Sequence, residues 1–306
     1  MNPPLVSIVI PAYNHACYLE PALRSVLAQT YRSIELIVID DGSTDGTRAL
    51  LERIGAGFRW ESQANAGQAR ALNRGWSQSR GDVLSYLSAD DLLHPEAVEE
   101  AVKALAEDSG VVVVYPDSVL IDERSRPVYN VPPSGMPYLE TLRLFTCAVG
   151  VGSFFRRSVW ERVGGWNPDL KRLPDLDFWL RIGLHGGFKR IPRRLAYHRV
   201  HAGSESYAQP DLEKADEPLR IIDQLYADPE LPSAVVALRL QARASACLLS
   251  ARLHLFGGRV GHGMARFGEA LRSDPSLLFA VRGYQAMIVG LLGRARWRLL
   301  RFTRIS

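Results

Sequence analysis

Pairs of carboxylates follow apolar runs of strand length at two places in the chain. Asp90 and Asp91 come after the run VLSYL, and Asp40 and Asp41 come directly after IELIVI. Two adjacent acids repel each other unless a cation or hydrogen-bond donors compensate them. Hard divalent cations such as Mg²⁺ bind one or two carboxylates together with substrate phosphate oxygens. The pair at 90–91 is therefore a candidate metal site, and a cap for the helix after Pro95 is the alternative.

A third acidic segment and a histidine segment carry further candidates. In DLDFWLR, Asp175 and Asp177 open a predicted helix with an apolar buried face, and the helix dipole favours a carboxylate there. Ordinary helix capping by Asp175 is the alternative. His198 and His201 lie in YHRVHAGSES, after a predicted strand. Their spacing points them to opposite sides of a strand, so we expect a single histidine at a metal or diphosphate.

Alternating strands and helices must position these residues. Across the first 115 residues, apolar runs alternate with helix-period segments, which predicts right-handed βαβ crossovers and a mostly parallel sheet. The predicted strands are 5–10, 34–39, 58–60, 83–87 and 111–115, and the predicted helices are 18–28, a segment ending at 54, 67–79 and 95–108. Ligands of such sheets bind beyond the carboxyl ends of the strands. This rule brings Tyr13 and Asn14 together with the two aspartate pairs.

The second half of the chain changes character at about residue 210. Residues 116–209 are rich in proline and glycine, with short predicted strands at 188–191 and 195–200 and a helix from Asp175. Beyond 210 the pattern is helical, over 232–255, 260–272 and 277–292. We therefore predict an α/β domain over 1–209 and a helical region over 210–306.

Charge is unevenly distributed along the 306 residues. The formal net charge is +4, but after Asp274 there are six arginines and no acid, which leaves −2 for residues 1–274. A slightly acidic body does not suit a nucleic-acid partner. With 47% hydrophobic and 23% charged residues, the chain also does not belong to the disordered class.

The tail after Asp274 has a pattern of its own. Its arginines are Arg282, Arg294, Arg296, Arg298, Arg301 and Arg304, with Trp297, Leu299, Leu300 and Phe302 among them. This pattern predicts a basic amphipathic helix at an anionic membrane surface. A solvated helical end packed on the domain is the alternative.

Cysteine usage and the apolar segments bear on location. Cys17, Cys147 and Cys247 lie far apart and form no CxxC pair, which is typical of reduced thiols in a cytoplasm. The N-terminal residues lack the basic region and cleavage site of a signal peptide. The apolar stretch 286–292 is far shorter than the about 20 residues of a membrane-spanning helix. We expect a cytoplasmic protein that is peripheral on the inner face of the cell membrane if its tail binds there.

Seven segments together resemble family 2 glycosyltransferases, which are inverting enzymes that use nucleotide-diphosphate sugars. In chain order they are VSIVIPAYN, VIDDGSTDGT, NAGQARALNRG, YLSADD, VGGWNPDL, DLDFWLR and YHRVHAGSES. They cover about residues 4–206. The resemblance implies the GT-A fold, an α/β architecture with a Rossmann-like, mostly parallel sheet flanked by helices, here with a helical C-terminal extension. It also implies a nucleotide-sugar-binding half over 1–115 and an acceptor and catalytic half over 116–209.

The resemblance implies a role for each matching residue. Asp175 is expected to be the catalytic base, Asp91 a direct metal ligand, and His201 a neighbour of the metal or diphosphate. Tyr13 is expected against the nucleotide base and Asp41 at its edge. The full set of expected nucleotide-sugar contacts is Pro11, Tyr13, Asn14, Asp40, Asp41, Asn65, Asn73 and Asp90, the last of these near the ribose. Gly165 and Trp166 are expected to border the acceptor, with buried packing as the alternative for Trp166.

Three positions depart from the family pattern. Ser88 stands where members often have an acid two positions before the pair, and Leu72 stands where many have an arginine. Pro174 replaces a common glutamate before the base, which suits the first turn of a helix. With fewer charged groups, neutralisation of the phosphates is expected to depend more on a bound Mn²⁺ or Mg²⁺.

The implied function is transfer of a sugar, most often from a UDP-sugar, to a hydroxyl of a glycan or lipid-linked acceptor in cell-surface polysaccharide or glycolipid synthesis. A sugar nucleotidyltransferase normally carries an early glycine-rich loop, and PAYNHACYL has none. A glycoside hydrolase uses paired carboxylates but needs no nucleotide site. A non-catalytic nucleotide-sugar-binding scaffold stays open because of Ser88.

Overall fold

The computed structural model describes residues 3–133, 135–146, 149–201, 203–204, 208–279 and 281–302, without the side chains at 282, 283 and 294–302. The chain divides into two units. A sheet unit contains residues 1–137, 147–169 and 177–202, and a helical unit contains residues 138–146, 170–176 and 203–306. Two segments of the helical unit precede residue 210, and the division of function at that residue stays a prediction.

Nine strands of the described chain form one sheet, in the order β3-β2-β1-β4-β8-β6-β9-β5 with β7 beside β6. The strands are β1 (Val6–Ala12), β2 (Ile34–Asp40), β3 (Arg59–Ser62), β4 (Val83–Tyr86), β5 (Leu92–Leu93), β6 (Val111–Ile121), β7 (Pro127–Asn130), β8 (Phe154–Arg156) and β9 (Gly187–Arg199). Strands β3, β2, β1 and β4 are parallel neighbours. Strand β8 runs antiparallel to both β4 and β6, and β9 runs parallel to β6. The carboxyl ends of β1, β2, β4, β6 and β9 therefore lie at the same edge of the sheet.

Helices join these strands and continue into the helical unit. The helices are α1 (Ala16–Leu27), α2 (Thr47–Ile54), α3 (Gln68–Ser77), α4 (Ala97–Glu107), α5 (Tyr138–Leu144), α6 (Arg157–Val163), α7 (Pro174–Ile182), α8 (Leu212–Ala215), α9 (Glu217–Leu225), α10 (Ser233–Val236), α11 (Arg239–Phe256), α12 (Val260–Ser273) and α13 (Val281–Phe302). The predicted βαβ alternation over the first 115 residues is confirmed.

Both faces of the central strand β1 are buried. Along β1 the side chains alternate, so that Ile8 packs in a cluster with Leu19 of α1, whereas Val9 packs in a second cluster with Leu72 and Trp76 of α3. A strand covered on both faces has no polar face, which is why β1 and β2 read as continuous apolar runs. The same burial accounts for Leu72, because its side chain is fully inside the core, where an arginine would have to bury its charge.

The helical unit is organised around α11, which packs against α9, α12 and α13. Gly290 allows α13 to approach α11 closely, since a Cβ at that position would lie 2.8 Å from the carbonyl oxygen of Arg252. Cys17 and Cys247 are free thiols, and Cys147 lies outside the described residues. Among the helices of the described chain, none combines the length and the hydropathy needed to cross a membrane.

The structure differs from the sequence prediction mainly in short or late strands. A single strand, β9, covers the region where two strands were predicted. Strands β5, β7 and β8 were not predicted, because elements of two to four residues carry too little periodicity to be read from a sequence. The predicted basic tail continues beyond the described side chains, which end at residue 293.

Candidate functional site

Three side chains converge at the edge of the sheet where the strands end. His15 follows β1, Asp90 follows β4, and His201 follows β9. One nitrogen of each histidine and one carboxylate oxygen of Asp90 all lie within 4.8 Å of one another. Asp90 Oδ2 and His201 Nε2 are 3.0 Å apart. This cluster is a candidate metal centre made of one oxygen and two nitrogen donors.

One separation within the cluster and the chemistry of its donors suit a divalent ion. Adjacent ligands of an octahedral ion with bonds of about 2.1 Å lie about 3 Å apart, close to the separation of the Asp90 and His201 donors. The Nδ1 atom of His15 lies 2.6 Å from the carbonyl oxygen of Tyr13. Because a carbonyl only accepts, Nδ1 carries the hydrogen and Nε2 keeps the lone pair that a metal needs. The residues therefore fit a bound cation, and His15 is a donor that the sequence did not indicate.

Asp91 occupies a different environment from Asp90. Its side chain is 1% exposed, Oδ1 accepts a hydrogen bond from Arg199 N–H (2.8 Å), and His198 Nδ1 lies 3.3 Å from the same oxygen. Burial raises the pKa of Asp91, and Asp91 in turn raises the pKa of His198. The sequence expectation gave Asp91 to the metal and Asp90 to the ribose, whereas the structure places Asp90 in the three-residue cluster.

Arg199 links several segments at this edge of the sheet, and the sequence analysis did not identify it. Its guanidinium is buried and donates to the carbonyl oxygens of Asp90 (2.7 Å) and Asp122 (2.8 Å) and to Ser125 Oγ (3.0 Å). It also lies over the ring of Tyr18, 4.9 Å from the centroid. A buried arginine is stable only with such partners. Arg199 thus fixes the turn that carries both acids.

The loop after β1 is fixed to the loop after β2. Asn14 has a positive φ of 55°, which asparagine tolerates better than most residues. Its Oδ1 accepts a hydrogen bond from Thr44 N–H (2.8 Å), and its own N–H donates to Ser43 Oγ (2.9 Å). Pro11 is buried within β1, and Tyr13 is 45% exposed beyond it. Tyr13 therefore stays partly accessible to solvent at the strand ends, and its contact with a nucleotide base stays a prediction.

Asp40 and Asp41 are both buried and hydrogen-bonded. Asp40 accepts from Ser62 Oγ (2.7 Å) and from Ser43 N–H (3.0 Å), so it closes the turn after β2. Asp41 accepts from Gln63 Nε2, Ala66 N–H and Gly67 N–H at 2.7–2.9 Å. The loop that contains the exposed Asn65 is therefore fixed by Asp41.

Asn73 holds the segment that precedes α7 instead of facing open solvent. Its Nδ2 donates to the carbonyl oxygen of Trp166 (2.7 Å), and Trp166 N–H donates to its Oδ1 (2.8 Å). Any side chain at Gly165 would collide with this amide, because a Cβ there would be 2.0 Å from Asn73 Oδ1. The indole of Trp166 is 4% exposed and packs edge-on against Tyr86. Buried packing, the alternative considered for Trp166, describes its ring in this structure.

The candidate base belongs to the helical unit. Asp175 lies in the first turn of α7, directly after Pro174, and keeps some solvent exposure. Burial by the surrounding protein, and then the charge of Glu217, raise the pKa of Asp175, against a hydrogen bond from Leu176 N–H to Oδ1 (2.9 Å). A carboxylate with a raised pKa is a stronger base.

Glu217 organises the loop before this base, and sequence reasoning missed it. Its carboxylate is fully buried and accepts hydrogen bonds from three consecutive backbone N–H groups, those of Lys171 (2.6 Å), Arg172 (2.8 Å) and Leu173 (2.8 Å). Three converging N–H groups satisfy a buried carboxylate that would otherwise be costly. No local sequence signal joins Glu217 to a loop 44–46 residues earlier.

Solved structures of similar shape share this architecture. Residues 1–349 of S. aureus TarS in complex with UDP-GlcNAc align with a TM-score of 0.72 at 15% identity, over 96% of this chain and 92% of that one. Mannosyltransferase PcManGT from Pyrobaculum calidifontis, in complex with GDP-Man and Mn²⁺, aligns with a TM-score of 0.64 at 18% identity, over 97% and 87% of the two chains. At these identities the likeness concerns the fold, and it confirms the predicted GT-A architecture.

Sequence comparison gives the family. An uncharacterised glycosyltransferase of Rickettsia typhi is 35% identical over 58% of this chain and 58% of its own length. Chondroitin synthase of Escherichia coli is 32% identical over 69% of this chain, which spans only 31% of that protein. The family model described as "Glycosyl transferase family 2" matches residues 7–164, which is more than half of the chain. Together with the GT-A sheet and the residues at its edge, this match shows that the chain belongs to glycosyl transferase family 2.

Proposed function

We propose that this protein transfers a sugar from a nucleoside-diphosphate sugar to a hydroxyl group of an acceptor, with inversion at the anomeric carbon. The observation that carries the proposal is the convergence of Asp90, His201 and His15 at the carboxyl ends of the strands of a family 2 fold. Two of the solved structures of similar shape are complexes with nucleotide-diphosphate sugars, UDP-GlcNAc and GDP-Man. We propose a UDP-sugar as the first donor to test.

The reaction would be a single displacement. The acceptor oxygen forms a bond to the anomeric carbon while the bond from that carbon to the diphosphate oxygen breaks, and Asp175 takes the hydroxyl proton. Proton transfer to a positioned carboxylate typically contributes about 10²–10⁴ in rate. Asp175 suits this step because its raised pKa makes the ionised form more basic.

The departing diphosphate carries the charge that the site must stabilise. A divalent ion held by Asp90, His201 and His15 would act as a Lewis acid toward it. Two imidazoles and one carboxylate favour Mn²⁺ over Mg²⁺, since Mg²⁺ prefers oxygen ligands. On the protein side, the roles proposed for Tyr13 and Asp41 are to stack on the base and to shape the loop around it. The roles proposed for Asn73, Gly165 and Trp166 are to shape the acceptor side.

Metal binding can be measured without turnover. We expect His15→Gln and His201→Gln to weaken Mn²⁺ binding by about tenfold or more in calorimetry, as loss of a ligand usually does. His185→Gln is a matched control, because His185 is exposed and remote in sequence from the cluster. Equal Mn²⁺ affinity in all three variants would remove the cluster from the metal assignment.

The acceptor is proposed as a glycan or lipid-linked glycan in cell-surface polysaccharide or glycolipid synthesis, in the cytoplasm. The support is the chondroitin synthase among the relatives. A thermal-shift screen of UDP-, dTDP- and GDP-sugars with Mn²⁺ would identify the donor. Release of nucleoside diphosphate from that donor with a lysate acceptor fraction would then distinguish an enzyme from a non-catalytic scaffold. Binding of the donor without any release would favour the scaffold.

A further inference from the structure

An exposed apolar stripe runs along α13 of the helical unit. It consists of Val281, Tyr284, Ile288, Leu291 and Leu292, each of them about half exposed or more, up to 69% at Val281. At 100° per residue these five positions fall within an arc of about 100° on one side of the helix. Scattered exposed apolar residues need no explanation, but a continuous stripe does.

The opposite side of the helix is the one that packs on the protein. Gly290 is buried, and a Cβ there would lie 2.9 Å from Leu255 Cβ of α11. Gly293 faces Phe256, also of α11, with a Cβ distance of 3.3 Å. Small residues thus seat α13 on α11, while its large apolar residues point away. Phe279, just before the helix, is 91% exposed and extends the apolar surface.

The charge of this part of the chain is of one sign. From Pro275 to the last residue there are six arginines and no acid, and five of the arginines follow Gly293. A second copy that docked through the same stripe would bring a second arginine-rich tail, and this segment has no acids to neutralise the arginines. An anionic lipid surface offers both an apolar layer for the stripe and negative charge that attracts the arginines near it.

We propose that the α13 stripe, together with the arginines that follow it, docks this protein on an anionic membrane surface, with the helix lying in the plane of the interface. The described part of α13 is not apolar enough to span a bilayer, which is consistent with a helix lying flat. The proposal is independent of the transfer reaction, since it concerns where the protein is held and not what it catalyses.

Vesicle co-sedimentation tests this docking with the full chain. We expect binding to phosphatidylcholine vesicles that contain phosphatidylglycerol, little binding to phosphatidylcholine alone, and weaker binding as salt is raised. The double variant Ile288→Asp and Leu292→Asp should lower partitioning by at least about tenfold, because it places charges in the buried layer. Leu240→Asp is the matched control, as Leu240 is 63% exposed but lies on α11, outside the stripe.

A second variant keeps the test independent of helix packing. Replacing the five arginines after Gly293 by glutamine should also lower binding to phosphatidylglycerol vesicles and remove its salt dependence. Circular dichroism of each variant checks that the helices are intact. Binding that is equal for phosphatidylcholine with and without phosphatidylglycerol would overturn the proposal. So would self-association of the wild type that Ile288→Asp abolishes, because the stripe would then serve a second copy of the chain.

Discussion

Replacing the candidate base with its amide isolates the chemical step from the fold. Asp175→Asn keeps an oxygen that can accept the hydrogen bond from Leu176 N–H (2.9 Å) and leaves the side-chain volume almost unchanged. It removes only the ability to take a proton. If Asp175 is the general base, the rate of transfer should fall about 10²–10⁴-fold, which corresponds to about 3–5 kcal/mol of barrier.

Stability should move in the opposite direction from activity. Burial and the nearby charge of Glu217 raise the pKa of Asp175, so the ionised carboxylate is less favourable in the folded protein than in the unfolded chain. A neutral amide avoids that cost, and the melting temperature of Asp175→Asn should equal or exceed that of the wild type at neutral pH. Donor binding should also be retained, because the metal cluster belongs to other residues.

The assay follows nucleoside-diphosphate release at saturating donor, with donor binding by calorimetry and unfolding by circular dichroism. Asp169→Asn is the matched control, since Asp169 is an exposed acid six residues earlier in the chain. Because the pKa of Asp175 is raised, wild-type turnover should fall on the acid side at a pH above the ordinary aspartate value, and the variant should lack this acid limb. Turnover by Asp175→Asn within about tenfold of the wild type would refute the assignment.

Three further predictions follow from the contacts of the site and of the helical unit. Glu217→Gln offers one acceptor oxygen to three N–H groups, so it should cost about 1–3 kcal/mol of stability and lower kcat more than it changes KM. It should also move the acid limb of the pH–rate profile to lower pH, because a charge that raises the pKa of Asp175 is gone. An acid limb that does not move would mean that Glu217 has a structural role only. Asp90→Ala should lower Mn²⁺ affinity by about tenfold or more with little change in melting temperature. Asp91→Ala should instead lower the melting temperature, because it leaves the buried N–H of Arg199 without its acceptor, and the reverse pattern in calorimetry and thermal melts would contradict the cluster. Acid should weaken the helical unit in two steps. Burial lowers the pKa of His254, so the unfolded chain takes up a proton that the folded protein does not, and the free energy of unfolding falls as pH drops below about 6.5. At Asp216, hydrogen bonds from Arg266, Ser250 and His254 outweigh the effect of burial and hold the pKa at about 2. Protonation of Asp216 between about pH 4 and pH 2 therefore removes up to about 2 kcal/mol of the free energy of unfolding, and less than that once solvent screening is counted. Urea titrations from pH 8 to pH 3 would check both steps, and Asp216→Asn should flatten the lower one.

The first half of the fold could be predicted because its strands are buried on both faces. A short apolar run such as that of β1 is typical of a strand buried on both faces, and the helices between the runs carry clear apolar periodicity. The region after residue 116 could not be read in the same way. Strand β8 has three residues, and it is held in the sheet by β4 and β6 on its two sides. Its place depends on partners distant in sequence, which local patterns do not report.

At the candidate site, too, the sequence indicated residue types but not the groups that those residues contact. The family resemblance gave expected roles to acids and amides near the strand ends, but it could not say what each one contacts. Asn73 was expected near the nucleotide, and its amide is paired with the backbone of Trp166, 93 residues later. Asp41 was expected at the edge of the base, and its oxygens accept from the loop around Ala66. Such residues shape the walls of a site whether or not they touch the ligand.

The acid pair at 90–91 shows why burial decides between chemically identical neighbours. Both are aspartates after the same strand, and a sequence offers no reason to separate them beyond resemblance. Arg199 gives the two acids different environments in the structure. Its backbone N–H donates a hydrogen bond to the buried Asp91 Oδ1, whereas its guanidinium donates to the backbone carbonyl oxygen of Asp90. The Asp90 side chain is left facing His201. A carboxylate that must exchange ligands during turnover needs that freedom, whereas one that is buried and hydrogen-bonded serves to hold the turn in place. Arg199 is thus the residue on which the proposed division between a metal ligand and a structural acid depends.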